Sequence, residues 1–325
     1  MFYGAAAIKL GGEHSVVYEH KALAAGLSLY ARAESYNTKG DRLEIELPDL
    51  NKQISIRLEE LDRGIEETYK PLIYILNELS SRYSIELKGL HIRISSDIPI
   101  QRGLASSAAI SVAITAALIS HFSISLKEEE FIELSRLGEI VAHNNKNAGK
   151  IDIPTSFYGG VILYNKGNIK RYRAKSLPIL VIDTGNKLPT SVTVAHVKAE
   201  YEKDKERVES IFNAIDDCVD QMLRGISLNN LDMIGEAMFR NHDLLRELGV
   251  SNDNLDLVVE ESRKDDAILG AKLSGGGGGG IAIALYNPNK DISSFIDLMQ
   301  KDGFKVIRSE VCVNPTFRKL YGDSL

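Results

Sequence analysis

Alternation of apolar and polar side chains is the strongest pattern in the first hundred residues. "HSVVYEHKALAAGLSLYARAESY" (14–36) predicts a strand, a turn and a second strand. "RLEIELP" (42–48) and "ISIRL" (54–58) predict a hairpin, and "LKGLHIRISSDIP" (87–99) an alternating strand that runs into a loop. The period then becomes helical. Residues 99–120 predict an apolar helix, and "LKEEEFIELSRLGEIVAHNN" (126–145) sets apolar positions at helical spacing behind acids in its first turn. "GGVILYN" (159–165) and "LPILVIDTG" (177–185) predict strands, and residues 191–224 and 227–248 two long amphipathic helices. The end of the chain, through "AILGAKLSGGGGGGIAIALYN", "DISSFIDLMQKDG" and "FKVIRSEVC", predicts strand, strand, helix, strand. The alternation of elements gives two mixed halves dividing near 170–180, placed here at 1–175 and 176–325.

Two stretches do not fit a purely structural reading. In "PIQRGLASSAA" (99–109) a glycine-containing turn delivers small residues to the start of a helix. Gly103 permits backbone angles that a Cβ would penalise, and Ala105, Ser106, Ser107, Ala108 and Ala109 leave backbone N–H groups uncovered at the start of the helix. Such amides and the positive end of the helix dipole favour a phosphate. Taken alone, the same residues would also begin an ordinary buried helix. The second stretch, "KLSGGGGGGIAIAL" (272–285), places six glycines between two apolar runs. Six glycines lose much conformational freedom on folding, so close approach of backbone to another group explains them better than a simple connection.

Composition narrows the classes of function. The 325 residues carry a net charge of −6, which disfavours nucleic acid or an acidic membrane as the main partner. No run approaches the length of a membrane span. The two cysteines, Cys218 and Cys312, form no disulfide framework, and the opening "MFYGAAAIKLGG" lacks the features of a signal peptide. A cytoplasmic protein is expected.

"GEHSVVYEHKALAAGL" (12–27), "PIQRGLASSAA" and "KLSGGGGGGIAIAL" resemble, in order and separation, the three signature motifs of the GHMP small-molecule kinase superfamily. Within it the chain is most like the mevalonate kinase branch of archaeal type, and "DIPTSFYGG" (152–160), "VIDTG" (181–185) and "LLRELGV" (244–250) match in kind. The resemblance implies an α+β fold of two domains: an N-terminal one like the second domain of ribosomal protein S5, and a ferredoxin-like C-terminal one, with the site between them. It also implies ATP and Mg²⁺ as cofactors and a small-molecule acceptor, and leaves a homodimer open.

The resemblance further assigns roles. The 103–108 loop and Gly275, Gly276 and Gly277 would bind ATP, Asp152 would act on the acceptor hydroxyl, and Ser107 and Glu139 would hold the metal. Glu13, His14 and Thr184 would contact the acceptor. The chain also departs from the family. Ala7 stands where the family carries its active-site lysine, and Lys9 lies two residues on, on the same face of a strand. Ala105 replaces a glycine and is expected to avoid the left-handed region. Lys146, Lys150 and Arg102 add charge near Asp152 and the phosphate loop. Three readings follow: phosphorylation of the mevalonate 5-hydroxyl, phosphorylation of an already phosphorylated mevalonate, or an inactive metabolite-binding relative.

Overall fold

The computed structural model describes residues 1–57, 66–99, 102–174 and 177–322. The end of the "ISIRL" strand at 58, positions 100–101 of the phosphate loop and the boundary expected between 175 and 176 lie outside the described residues.

The N-terminal half contains β1 (Phe2–Gly11), β2 (Ala22–Asn37), β3 (Leu43–Leu47), β4 (Lys52–Ile56), α1 (Lys70–Tyr83) and β5 (Leu90–Ser96). It continues through α2 (Ser106–His121), α3 (Glu128–His143), α4 (Asp152–Tyr158), β6 (Val161–Asn165) and β7 (Asn168–Tyr172). The sheet runs β4-β3-β5-β2-β6-β7, with β1 paired to β2. Only β3 and β5 run parallel among these pairs. The C-terminal half contains β8 (Pro178–Lys187), α5 (Thr190–Lys203), α6 (Lys205–Leu228), α7 (Leu231–Glu247), α8 (Asp253–Lys264) and β9 (Ile268–Leu273). It closes with β10 (Gly279–Tyr286), α9 (Ser293–Lys301), β11 (Lys305–Glu310) and α10 (Pro315–Tyr321) around an antiparallel sheet ordered β11-β8-β10-β9.

Three cores follow from the pattern of apolar positions. One lies between the first sheet and α1, α2 and α3. A second joins the halves: Ala6, Ile8 and Leu10 of β1 meet Ile179 and Val181 of β8, Ile281 and Ile283 of β10, and Cys218 and Val219 of α6. The third takes the other face of the second sheet, Leu180, Ile182, Ala282 and Ala284, under α5 to α9. Because β8 and β10 are buried on both faces, they read as continuous apolar runs rather than as alternation. The tail crosses back to the first half. Cys312 N–H donates to the Gly26 carbonyl at 3.0 Å, Asn314 N–H to that of Tyr158 at 3.0 Å, and Phe317 of α10 joins the first core.

Three expected elements change. "HSVVY" is a 3-10 turn over Ser15–Tyr18 rather than a strand, because His14 and Glu19 on either side take φ of 62° and 67°. The apolar helix begins at Ser106, not 99. The stretch 191–224 divides at Asp204, whose carboxylate accepts the Arg207 N–H and starts α6 afresh. Helices α1, α4, α8 and α10 and strand β7 join the elements read from the sequence.

Among the described residues no helix is long and apolar enough to cross a membrane. α2 is apolar on all sides and almost wholly buried, as such a helix must be. It lies so close on β1 that a Cβ at Gly4 would stand 1.9 Å from the Ala109 carbonyl oxygen. Gly4→Val is therefore expected to destabilise the fold by about 1–3 kcal/mol or more. Urea unfolding checks this, and a midpoint equal to that of the parent chain contradicts it.

Candidate active site

The loops of both halves converge on one cleft of about 640 Å³. Ala7 and Lys9 of β1 border it, together with Glu13 and His14 from the turn after β1, Gly103, Ala105, Ser106 and Ser107 at the start of α2, and Glu139 of α3. Asp152, the first residue of α4, and Gly275 and Gly276 of the glycine-rich loop complete the wall.

Strand parity explains how Lys9 comes to be there. Ala7, Ile8 and Lys9 pair in unbroken register with Gly26, Ala25 and Ala24. Ile8 enters the core between the halves, so Ala7 and Lys9 share the opposite face. The Lys9 ammonium donates to Asp152 Oδ1 in a close, partly buried ion pair. The backbone on either side is fixed as well: Ala7 N–H donates to the Leu104 carbonyl at 3.0 Å, and Lys9 N–H to Ser274 Oγ at 2.9 Å. β1 thus holds both loops.

The start of α2 is shaped to receive an anion. Ala105 occupies the left-handed region, φ 53° and ψ 40°, contrary to expectation. The conformation costs a non-glycine residue about 1–2 kcal/mol, and burial of Leu104 and Ala108 on either side pins it. Those two side chains fill the cores rather than the cleft, so only their backbone faces the loop. No side chain caps the helix, which leaves its first amides to a ligand.

Beside these amides Ser107 Oγ lies 3.4 Å from His143 Nε2, which lies 3.6 Å from Glu139 Oε2. Glu139 is not a solvated face residue: its side chain is 3 % exposed and Oε1 finds no partner among the described residues. Burial raises its pKa, and the hydrogen bond with Ser107 opposes that shift.

On the other wall, His14 is nearly buried, and its Nε2–H donates to the Gly276 carbonyl at 3.0 Å, which fixes the glycine loop. Burial lowers the His14 pKa. Gly277 lies behind that loop rather than in the cleft wall. Its φ is 72°, and a Cβ there would come within 2.0 Å of the Val250 carbonyl oxygen.

Four other expected residues sit elsewhere. The Thr184 hydroxyl is buried and donates to the Gly280 carbonyl at 2.9 Å. Arg102 turns to β8, with Nε 3.1 Å from Asp183 Oδ2 and a guanidinium N–H on the Gly185 carbonyl at 2.8 Å. Lys146 and Lys150 are exposed and outside the cleft wall.

Sequence reasoning missed Lys272 of β9, fully buried and paired with Glu13. It missed His242 of α7 too, whose Nδ1 accepts the Leu273 N–H at 3.2 Å while Nε2–H donates to Asp256 at 3.1 Å. It also missed a second, apolar pocket of about 190 Å³, walled by Leu47, Tyr69, Leu72, Ile94 and Ile114, which meets the cleft at Ser106, Ser107 and Ile110.

Comparison with known proteins agrees with this fold. Residues 69–160 match the GHMP kinases N terminal domain and residues 222–303 the GHMP kinases C terminal domain. Mevalonate kinase of Pyrococcus furiosus is 32% identical over 299 residues, 88% of each chain. The crystal structure of Methanococcus jannaschii mevalonate kinase superposes with a TM-score of 0.85 at 27% identity, over 95% of this chain and 97% of that one. That of L. major mevalonate kinase in complex with R-mevalonate gives 0.81 at 27% identity, over 96% and 95%.

Burial pushes the pKa of His242 down to about 4. From pH 6.5 down to that value the unfolded chain binds a proton that the folded chain does not, so this residue removes stability as pH falls through the window. The loss of stability between pH 7 and pH 5 is expected to be smaller in His242→Gln than in the parent. Equal losses in urea titrations would contradict the assignment.

Proposed function

We propose, from the premise that the chain belongs to the GHMP kinase family, that it transfers the terminal phosphoryl group of ATP to the 5-hydroxyl of mevalonate. One observation carries the reading above the rest: the Lys9 ammonium and the Asp152 carboxylate meet in the cleft that the open amides of α2 also border. Phosphoryl transfer to an alcohol needs a group that orients the hydroxyl, a seat for the phosphates and positive charge for the oxygens in flight. Asp152 orients the hydroxyl and holds its proton, Lys9 supplies the charge, and the amides after Ala105 seat the phosphates. The apolar pocket beyond Ser106 suits the nucleobase.

The oxygens of Ser107 and Glu139 fit Mg²⁺, a hard cation, and the buried Glu139 Oε1, which has no partner among the described residues, would serve as a ligand. An ion held there would offset the negative charge of the phosphates. Glu13 and His14 border the acceptor end of the cleft.

The reading with a phosphorylated acceptor needs free positive charge in the cleft. Arg102 is paired with Asp183, and Lys146 and Lys150 lie outside the wall, which favours the unphosphorylated acceptor. The Lys9–Asp152 pair equally speaks against an inactive relative.

The test is ATP consumption with mevalonate, its 3- and 5-phosphates, homoserine and galactose. Turnover with mevalonate above all the others is expected, and preference for a phosphorylated acceptor would overturn the reading. Asp152→Asn should lower kcat by about 10²–10⁴-fold with little change in the KM for ATP. Retention of a tenth of parental kcat would remove Asp152 from the mechanism.

A further inference from the structure

Behind the acceptor end of the cleft lies a buried polar cluster that the mechanism has not used. Lys272 and Glu13 are 0% and 1% exposed at their side chains and form a close ion pair. The Lys272 ammonium also donates to the Leu273 carbonyl at 2.6 Å and reaches the Lys9 carbonyl at 3.5 Å. Its three N–H groups therefore meet three oxygens on three segments: the glycine-loop strand, the turn after β1, and β1 itself beside the residue that pairs with Asp152. Glu13 borders the cleft, yet its Oε2 is buried and has no partner among the described residues. A carboxylate oxygen held in that state is costly unless something donates to it. A hydroxyl of the acceptor is a source of such a donor.

We propose that Lys272 is a positioning residue for the acceptor: its ammonium holds the Glu13 carboxylate through Oε1 and turns it so that Oε2 takes a hydrogen bond from an acceptor hydroxyl. The inference rests on the kinase reading above and adds to it the residue that prepares the acceptor end. Burial alone would expel both charges; each is tolerated because the other compensates it. Removing Lys272 takes away the donor that holds Glu13 Oε1 and leaves the buried carboxylate free to turn from the cleft.

The groups that face the pair are His14 beside Glu13, with His196 acting on it from α5, and His242 of α7 and Cys218 of α6 beside Lys272. Burial lowers the pKa of both His14 and His242 and raises that of Cys218.

The experiment is steady-state kinetics of Lys272→Met and Lys272→Arg with both substrates varied. The expected result for Lys272→Met is an acceptor KM raised about tenfold or more with the KM for ATP within about threefold of the parent, and for Lys272→Arg, which keeps a donor to Glu13, a smaller rise in acceptor KM. An acceptor KM that does not move, or both KM values rising together, overturns the proposal. Should Lys272→Met fail to fold, the double variant Glu13→Gln/Lys272→Met, which removes both charges and keeps the shapes, is read the same way. It should show a raised acceptor KM beside an unchanged KM for ATP, and a parental acceptor KM overturns the proposal. Turnover of mevalonate by the parent chain separates the two claims. Its absence sinks the function together with the inference built on it, whereas its presence with an unmoved acceptor KM sinks the role of Lys272 alone.

Discussion

The burial of β1 on both faces governs the rest of the structure. One face, Ala6, Ile8 and Leu10, is closed by the sheet and helices of the C-terminal half. Gly4 brings the strand against α2, and Ala7 and Lys9 open onto the cleft. A strand packed this tightly has no freedom to slip, because a shift of one residue would exchange its core and cleft faces. Everything that the site needs is measured from it: the phosphate loop through Leu104, the glycine loop through Ser274, α4 through the Lys9–Asp152 pair, and the acceptor end through Lys272.

Charge in the cleft is arranged in compensated units rather than as a field. Lys9 answers Asp152, Lys272 answers Glu13, and Arg102 answers Asp183. Glu139 is the exception: among the described residues it pairs with His143 and with no lysine or arginine, and its buried Oε1 has no partner there, which is the feature expected of a ligand for a cation brought in with a phosphate. The backbone carries the remaining electrostatics, through uncapped amides at the head of an apolar helix.

Much of this was legible in the sequence because it depends on local pattern. The hairpin of β3 and β4, the apolar α2 and the strands around the glycine run follow from periodicity. The two loops follow from residue size, and the displaced lysine from the two-residue period of a strand. What escaped depends on contacts between distant segments. The His14 and Glu19 backbones turn "HSVVY" out of a strand, and neither is a residue that announces positive φ. The left-handed Ala105 is held by its buried neighbours. Lys272 lies in a strand beside glycines with no local hint that its charge is buried, and its partner is 259 residues away. Thr184 and the lysines at 146 and 150 erred the other way: their types suit a site, and only the folded chain shows where they point. The amphipathic α1 and the Asn252-capped α8 do carry local signals, in the spacing of Leu72, Ile73, Ile75, Leu76 and Leu79 and in the Asn252 cap on the Leu255 N–H.

The central claim is that a rigid, doubly buried strand lets a lysine two residues from the family's position do the same work. The direct test is the kcat of Lys9→Met and of Ala7→Lys/Lys9→Met, measured with ATP and mevalonate. The account predicts a deep loss of turnover in the first variant and partial recovery in the second, since residues 7 and 9 share the cleft face. Near-parental turnover of Lys9→Met would contradict it.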